Sequence, residues 1–306
     1  MPFTAQDVKT LREMTECGML DCKKALMDTD GDMEKAVELL REKGLASQAK
    51  KASRIAAEGI VTAVYDKEKK VAAVIEVNSE TDFVAKNPDF QNFAKVAAQA
   101  VIDNNPADVD ALLETTVDGK TVKELLQDIA LKIRENLKVR RFVRYEGDIA
   151  TYVHGGGTIG VMVKFDTDVA DKEGFAEYGK DVAMQIAAIN PAYICEHCVP
   201  AEVIEHEKEI ALAQIDNDPK MAAKPDQVKA KMVDGKIAKY YKENTLMNQE
   251  FVKDPSLDVK GYTAQVAKEL GGSIKVVDFV RMEKGEGIEK RQENFAEEVA
   301  KQIAGK

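Results

Sequence analysis

Ala73-Val74-Ile75-Glu76-Val77-Asn78-Ser79-Glu80-Thr81-Asp82-Phe83-Val84-Ala85-Lys86-Asn87 is the stretch whose reading decides the fold. An apolar run gives way to a polar loop with one aromatic in it. Upstream, Ile60 to Tyr65 is a second extended apolar run, and the charged segment Asp66 to Lys70 separates the two, which reads as a β-hairpin. Downstream, Phe90, Phe93, Val96, Ala97, Ala100 and Val101 recur at helical spacing. A further helix is expected near Val122–Leu137 and a strand near Val139–Tyr145. The pattern then returns. Glu146-Gly147 echoes Glu58-Gly59, and Val161 to Phe165 echoes Ala73 to Val77, both 88 residues on; Phe175 and Tyr178 echo Phe90 and Phe93 at 85. The core therefore reads as two copies of a strand–strand–helix unit, the second three residues shorter between strand and helix. That shorter loop, Asp166 to Gly174, has no aromatic, so the fold does not need the longer one. Phe83 is then either a contact residue in an exposed loop or a lid folded back on its own core.

Outward from the core, the first 45 residues read as three short helices. Thr4 is an N-cap; Val8, Leu11 and Met14 form one stripe, Met19, Cys22, Leu26 and Met27 a second, and Val37, Leu39 and Leu40 a third that stops near Gly44. A helical Lys/Arg/Ala segment, Gln48 to Glu58, is expected as a linker. Between Ala201 and Asn244, two charged amphipathic segments flank Asn217-Asp218-Pro219 and read as an antiparallel helical hairpin. Its apolar stripe has three destinations, itself, the core or a partner, and self-packing is expected. Val259, Tyr262, Val266 and Leu270 mark a helix stopped by Gly271-Gly272, Ser273 to Glu283 a strand, and Ile288 to Ile303 a last amphipathic helix. The class is α+β. The expected units are residues 1–55, a three-helix module and linker; 56–145, the first core subdomain; 146–200 with 245–284, the second; 201–244, the hairpin; and 285–306, a C-terminal helical module.

Composition narrows the function. The 306 residues carry 44 basic and 54 acidic side chains, a formal net charge of −10, which argues against a dedicated nucleic-acid binder. No apolar run approaches the roughly 20 residues that cross a bilayer, and the start lacks the marks of a signal peptide, so a cytoplasmic protein without membrane contact is expected. Four Cys in such a chain are expected as reduced thiols. Gly155-Gly156-Gly157-Thr158-Ile159-Gly160 matches G-x-G-x-x-G, but the chain continues as a strand, so the glycines are expected to turn a hairpin. His154-Gly155-Gly156-Gly157 resembles a lipase oxyanion segment, yet no G-x-S-x-G elbow accompanies it, and no G-x-x-x-x-G-K-[ST] occurs. Cys195-Glu196-His197-Cys198 offers a thiol pair for zinc or redox chemistry, against ordinary thiols near a helix start; no second pair at matching spacing supports zinc. With 3 His and no companion nucleophile, no hydrolytic triad assembles. No catalytic residue, cofactor or metal is expected.

Four segments, in order, resemble one family. They are Leu11-Arg12-Glu13-Met14-Thr15 with Gly18 to Leu26; Glu76-Val77-Asn78 with Thr81-Asp82-Phe83-Val84-Ala85-Lys86; His154-Gly155-Gly156; and Gly285-Glu286-Gly287-Ile288-Glu289-Lys290. Together they are similar to elongation factor Ts, the family of guanine-nucleotide exchange factors for the GTPase elongation factor Tu. The resemblance implies a non-enzymatic exchange role in translation. It implies an N-terminal ubiquitin-associated-type fold that touches the partner's nucleotide-binding domain, with Arg12, Met19 and Leu20 at the matching positions. It implies that the Thr81-Asp82-Phe83-Val84 loop inserts Asp82 and Phe83 beside two helices of that domain and shifts groups holding its magnesium ion. His154 and the C-terminal helix are expected on the remaining domains. The hairpin matches a segment used in some dimeric assemblies, so a homodimer or a 2:2 complex through it is one expectation. Two departures stand out. Glu80 replaces a Gln found in some members, adding a negative charge beside Asp82, and Cys195 and Cys198 lie outside the family pattern.

Overall fold

A β-strand with apolar residues at every position must be covered on both faces, and the run from Val71 meets that demand by lying in the middle of everything else. The computed structural model describes residues 3–15, 17–51 and 53–289, with no side chains described for 45–51. Three helices open the chain: α1 (Ala5–Thr15), α2 (Met19–Asp28) and α3 (Met33–Lys51). The first core unit is β1 (Glu58–Asp66), β2 (Val71–Ser79), α4 (Pro88–Asn104), α5 (Val109–Leu113), a small ribbon of β3 (Thr116–Val117) and β4 (Lys120–Thr121), α6 (Val122–Ile133) and β5 (Lys138–Glu146). The second is β6 (Asp148–His154), β7 (Ile159–Thr167), α7 (Phe175–Ile189), the hairpin α8 (Ala201–Asn217) and α9 (Asp226–Asn244), a ribbon of β8 (Glu250–Phe251) and β9 (Asp254–Asp258), α10 (Val259–Leu270) and β10 (Ile274–Glu283).

Each unit forms an antiparallel three-stranded sheet, β1-β2-β5 in the first and β10-β7-β6 in the second, so the repeated element is strand–strand–helix followed by a third strand. β2 is buried along its whole length. Its alternation explains why. Ala73, Ile75 and Val77 face Phe90, Phe93, Ala97 and Val101 of α4. Ala72 and Val74 face the other way, onto Ile149, Met162 and Met282 of the second sheet. The layers are helix, sheet, sheet, helix, with α7 and α10 covering the outer face of β7 through Val163, Phe165, Tyr178, Val182 and Val266. The echo reaches backbone dihedrals. Gly59 and Gly147 share φ +119°, and the C-caps of α4 and α7, Asn105 and Asn190, are both left-handed. A side chain at Gly59 would place its Cβ 2.1 Å from the Val77 carbonyl.

One buried charge sits where the sheets meet. Glu76 points to the inter-sheet side of β2 and is 0% exposed. Its carboxylate accepts from Arg140 at 3.0 Å, Arg141 at 2.6 Å, Asn78 at 3.0 Å and the Gly285 backbone at 2.7 Å. Burial alone would raise its pKa, but the hydrogen bonds from Asn78, Gly285 and the two arginines outweigh it and hold the carboxyl below the usual range.

The N-terminal helices close around Leu11, Cys22, Ala25, Leu26, Ala36 and Leu40. Thr4 and Asp7 bond reciprocally at the start of α1, which holds the Asp7 carboxyl below its ordinary range. The module docks on α6 through Arg41–Glu124 at 3.4 Å and Asp21–Arg134 at 3.1 Å. That helix is shorter than the expected Val122–Leu137. It stops at Ile133 because Arg134 turns left-handed at φ +65°.

Among the glycines 155–157, the chain turns the β6–β7 hairpin, with His154 paired to Ile159. The hairpin α8–α9 packs on itself through Ala211, Ile215, Val233 and Ile237. At its foot the structure corrects one expectation. Cys195 and Cys198 are not separate reduced thiols but are joined as a disulfide, because the short helical turn Glu196–Cys198 brings their Cα atoms to 5.2 Å. Cys17 and Cys22 are free. The expected last helix, Ile288 to Ile303, lies almost wholly outside the described residues.

Candidate partner-binding site

The loop after β2 is built from both ends inward. Ser79 closes the strand and donates its hydroxyl to the Thr81 carbonyl at 2.8 Å. At the far end, Asn87 caps α4 by accepting from the Asp89 and Phe90 N–H groups, and Pro88 opens the helix. Between them Val84–Lys86 forms one 3-10 turn, with Gln91 donating to the Ala85 carbonyl at 2.8 Å. In such a turn successive side chains point about 120° apart. Val84 takes the inward direction and is buried in the first core, so Phe83 is thrown out: it is 79% exposed at ordinary helical dihedrals. The lid alternative is thereby excluded. Asp82 beside it is also exposed.

The base of the loop is clasped by α6's exit. Glu135 Oε2 accepts from the Glu80 and Thr81 backbone N–H groups at 3.0 Å each, and its Oε1 accepts from the Thr81 hydroxyl at 2.6 Å. Glu80 returns the contact, accepting the Asn136 N–H at 2.6 Å, and meets Arg54 at 3.4 Å. The extra acid at position 80 is therefore turned into the loop's foundation rather than out beside Asp82. Phe83 borders an open hollow shared with Arg54, Ile55, Glu58, Asp82 and Lys284. Ile55 is itself an exposed apolar side chain, and Lys284 pairs with Glu58 across the hollow.

A second exposed apolar group lies on the N-terminal module. Leu20 is 81% and Met19 47% exposed at the start of α2, with Met14 and Arg12 exposed on α1. Gly18 lets α2 begin against Arg134, whose guanidinium bonds Asp21, the neighbour of Leu20. The tripeptide 134–136 thus touches both the N-terminal patch and the Phe83 loop. His154 stands elsewhere, exposed at the tip of β6, its Nδ1 held 2.9 Å from the Tyr152 hydroxyl.

The sequence reading missed Ile55, Glu135 and Asn136. Nothing local marks the last two, which reach the loop across more than 50 residues. Among the described residues no group of three or more His, Cys, Asp or Glu side chains is arranged to hold a metal ion. Nor is any described helix long and apolar enough to cross a membrane.

This arrangement has relatives. The family model described as Elongation factor TS matches residues 80–286, from the first residue of the loop to the glycine turn beyond β10. Elongation factor Ts of Clostridioides difficile (strain 630) is 52% identical over 304 residues, covering 98% of this chain and 99% of that protein. This chain belongs to the elongation factor Ts family. The same name is carried by a Clostridium kluyveri (strain ATCC 8527) protein, 48% identical over 99% of this chain and 100% of its own length, and by one from Clostridium perfringens (strain SM101), 50% identical over 98% of each. Membership of the elongation factor Ts family makes the chain a translation elongation factor of protein biosynthesis. The N-terminal module lies outside the 80–286 match but inside the near full-length similarity to these elongation factors Ts.

Proposed function

We propose that this protein binds elongation factor Tu in its GDP form and speeds GDP release, so that GTP can replace it, without itself catalysing a covalent step. The observation that carries this reading is Phe83: a large apolar ring, 79% exposed, on a loop whose backbone is pinned at both ends. An aromatic presented this way loses little conformational entropy on insertion. In this reading Phe83 is a wedge beside the helices that hold the partner's magnesium ion, Asp82 positions it by polar contact, and Thr81 and Val84 anchor the loop. Magnesium neutralises the β-phosphate in GTPases, so loosening the ion weakens nucleotide binding. Linkage then requires that nucleotide weaken binding of the factor equally.

Full burial of one Phe is worth about 2–3 kcal/mol, roughly a hundredfold at about 1.4 kcal/mol per decade. One wedge cannot open a tightly held site alone. Arg12, Met19 and Leu20 on the N-terminal module and His154 on the second sheet supply further contacts in this reading, and the α8–α9 hairpin supplies a homodimer or 2:2 contact. The protein acts in the cytoplasm, without direct nucleic-acid or membrane binding. The test is release of fluorescent GDP from elongation factor Tu with substoichiometric protein. Release is expected to accelerate catalytically. Phe83→Ala is expected to lose about tenfold or more of that acceleration while unfolding at the same denaturant concentration, because the ring contributes nothing to the core. Complex formation without faster release would instead make the protein a passive tether.

A further inference from the structure

The two core units provide an internal control for the Phe83 loop. In the first, the chain leaves α6 through Arg134-Glu135-Asn136; in the second it leaves α10 through Gly271-Gly272-Ser273. The correspondence is residue by residue. Arg134 and Gly271 are both left-handed C-caps, at φ +65° and +67°. The Asn136 N–H donates to Glu80 at 2.6 Å, and the Ser273 N–H donates to Asp168 at 2.7 Å. Glu80 and Asp168 each follow closely on the central strand of their own sheet. That half of the clasp is common to both units and belongs to the fold.

The other half is not shared. Glu135 stands where the second unit has Gly272, whose missing Cβ would lie 2.4 Å from Asp168 Oδ1. Only the first unit has a carboxylate reaching the next loop residues, and only the first carries an exposed aromatic there. Glu135 gathers three donors from two residues, the Glu80 and Thr81 N–H groups and the Thr81 hydroxyl, immediately before Asp82 and Phe83. The sibling sheet closes without it.

We infer that Glu135 is a positioning residue for Phe83, holding the loop in the conformation that presents the ring to the partner. The inference rests on the wedge reading of Phe83. It has a kinetic form. If losing Glu135 lowers the presenting fraction of the loop to about one tenth, apparent affinity for the partner falls about tenfold while the bound complex is unchanged.

The experiment measures GDP release at varied concentrations of the elongation factor Tu–GDP complex. Glu135→Ala is expected to raise the half-saturating concentration about tenfold with the maximal rate kept. Glu135→Gln is expected to stay within about twofold of the parent, since its amide oxygen accepts both backbone N–H groups and its NH2 donates to the Thr81 hydroxyl. In a Phe83→Ala background, Glu135→Ala is expected to add less than about twofold, because there is no ring left to present. An equal loss in both backgrounds, or a Gln variant as weak as Ala, overturns the inference in favour of a merely structural role. Amide hydrogen exchange on the free protein separates this from failure of the wedge reading. Glu135→Ala should speed exchange at the Glu80 and Thr81 amides about tenfold or more. Unchanged protection there overturns the clasp. Loosened amides with Phe83→Ala harmless to release would show that the loop is clasped but not a wedge, which overturns both.

Discussion

Replacing Glu76 by Ala tests what holds a fully buried charge between the two sheets. The substitution removes a carboxylate that is fully out of water and leaves behind Arg140, Arg141, the Asn78 amide and the Gly285 N–H. Breaking a buried ion pair from one side costs about 3–5 kcal/mol, because the remaining charge is stranded. Arg140 and Arg141 keep 23% and 34% of their side-chain surface, so water recovers part of that loss and the lower end, about 3 kcal/mol, is expected. With a urea slope of about 2–3 kcal/mol per M, the midpoint should fall by roughly 1 M with the slope unchanged. Glu76→Gln keeps one acceptor and should lose less, about 1–2 kcal/mol. The pH dependence has a fixed sign. A carboxyl whose folded pKa is lowered contributes fully above the unfolded range near pH 4 and loses that contribution as pH falls through the folded value. The gap between parent and Glu76→Gln should therefore close on acidification. A loss below about 1 kcal/mol for Glu76→Ala at neutral pH would refute the claim that this charge is held by its partners rather than tolerated.

Other outcomes follow from close approaches and from the hairpin foot. Gly160→Ala brings a Cβ to 2.4 Å from Val61 Cγ1 and 3.1 Å from Val74 Cγ2, both walled in by the two sheets. It should destabilise by about 1–3 kcal/mol in thermal unfolding, whereas Gly156→Ala, with open space around it, should suffer only from its backbone angle. Converting Cys195 and Cys198 together to Ser should leave the rate of GDP release unchanged, since the pair lies at the foot of α8, away from the Phe83 loop. A marked loss in that release assay would assign the cysteines a role this account denies them.

Much of the architecture could be read in the chain because it is written twice. The recurrence of Glu-Gly, an apolar run and two aromatics at nearly constant offset needs only local patterns, and Gly59 and Gly147 share a dihedral to match. The assignment of β5 and β10 to the edges of their sheets was not legible. Strand pairing across 60 or more residues leaves no local trace. A different limit hid the C-terminal end of α6: an Arg in a left-handed C-cap has no signature, since Gly or Asn is the usual sign. At the site, sequence singled out Phe83 but could not choose between an exposed ring and a lid. The choice is made by Val84, which takes the one inward slot of a tight turn. Glu76 read as one polar residue in a strand, and its partners were invisible because three of them lie on other elements. Cys195 and Cys198 were misjudged because compartment statistics say nothing about two sulfurs that a single turn brings together.

The two feet of the α8–α9 hairpin meet. The Ala192 and Tyr193 N–H groups both donate to the Asn244 carbonyl, and Leu246 and Met247 donate back to Tyr193 and Ile194. The excursion from 195 to 245 therefore begins and ends at one point, stitched shut beneath it, and the apolar residues of its two helices close on one another. Such an appendage is a detachable arm. It can be lengthened, shortened or removed with little disturbance to the sandwich that bears it.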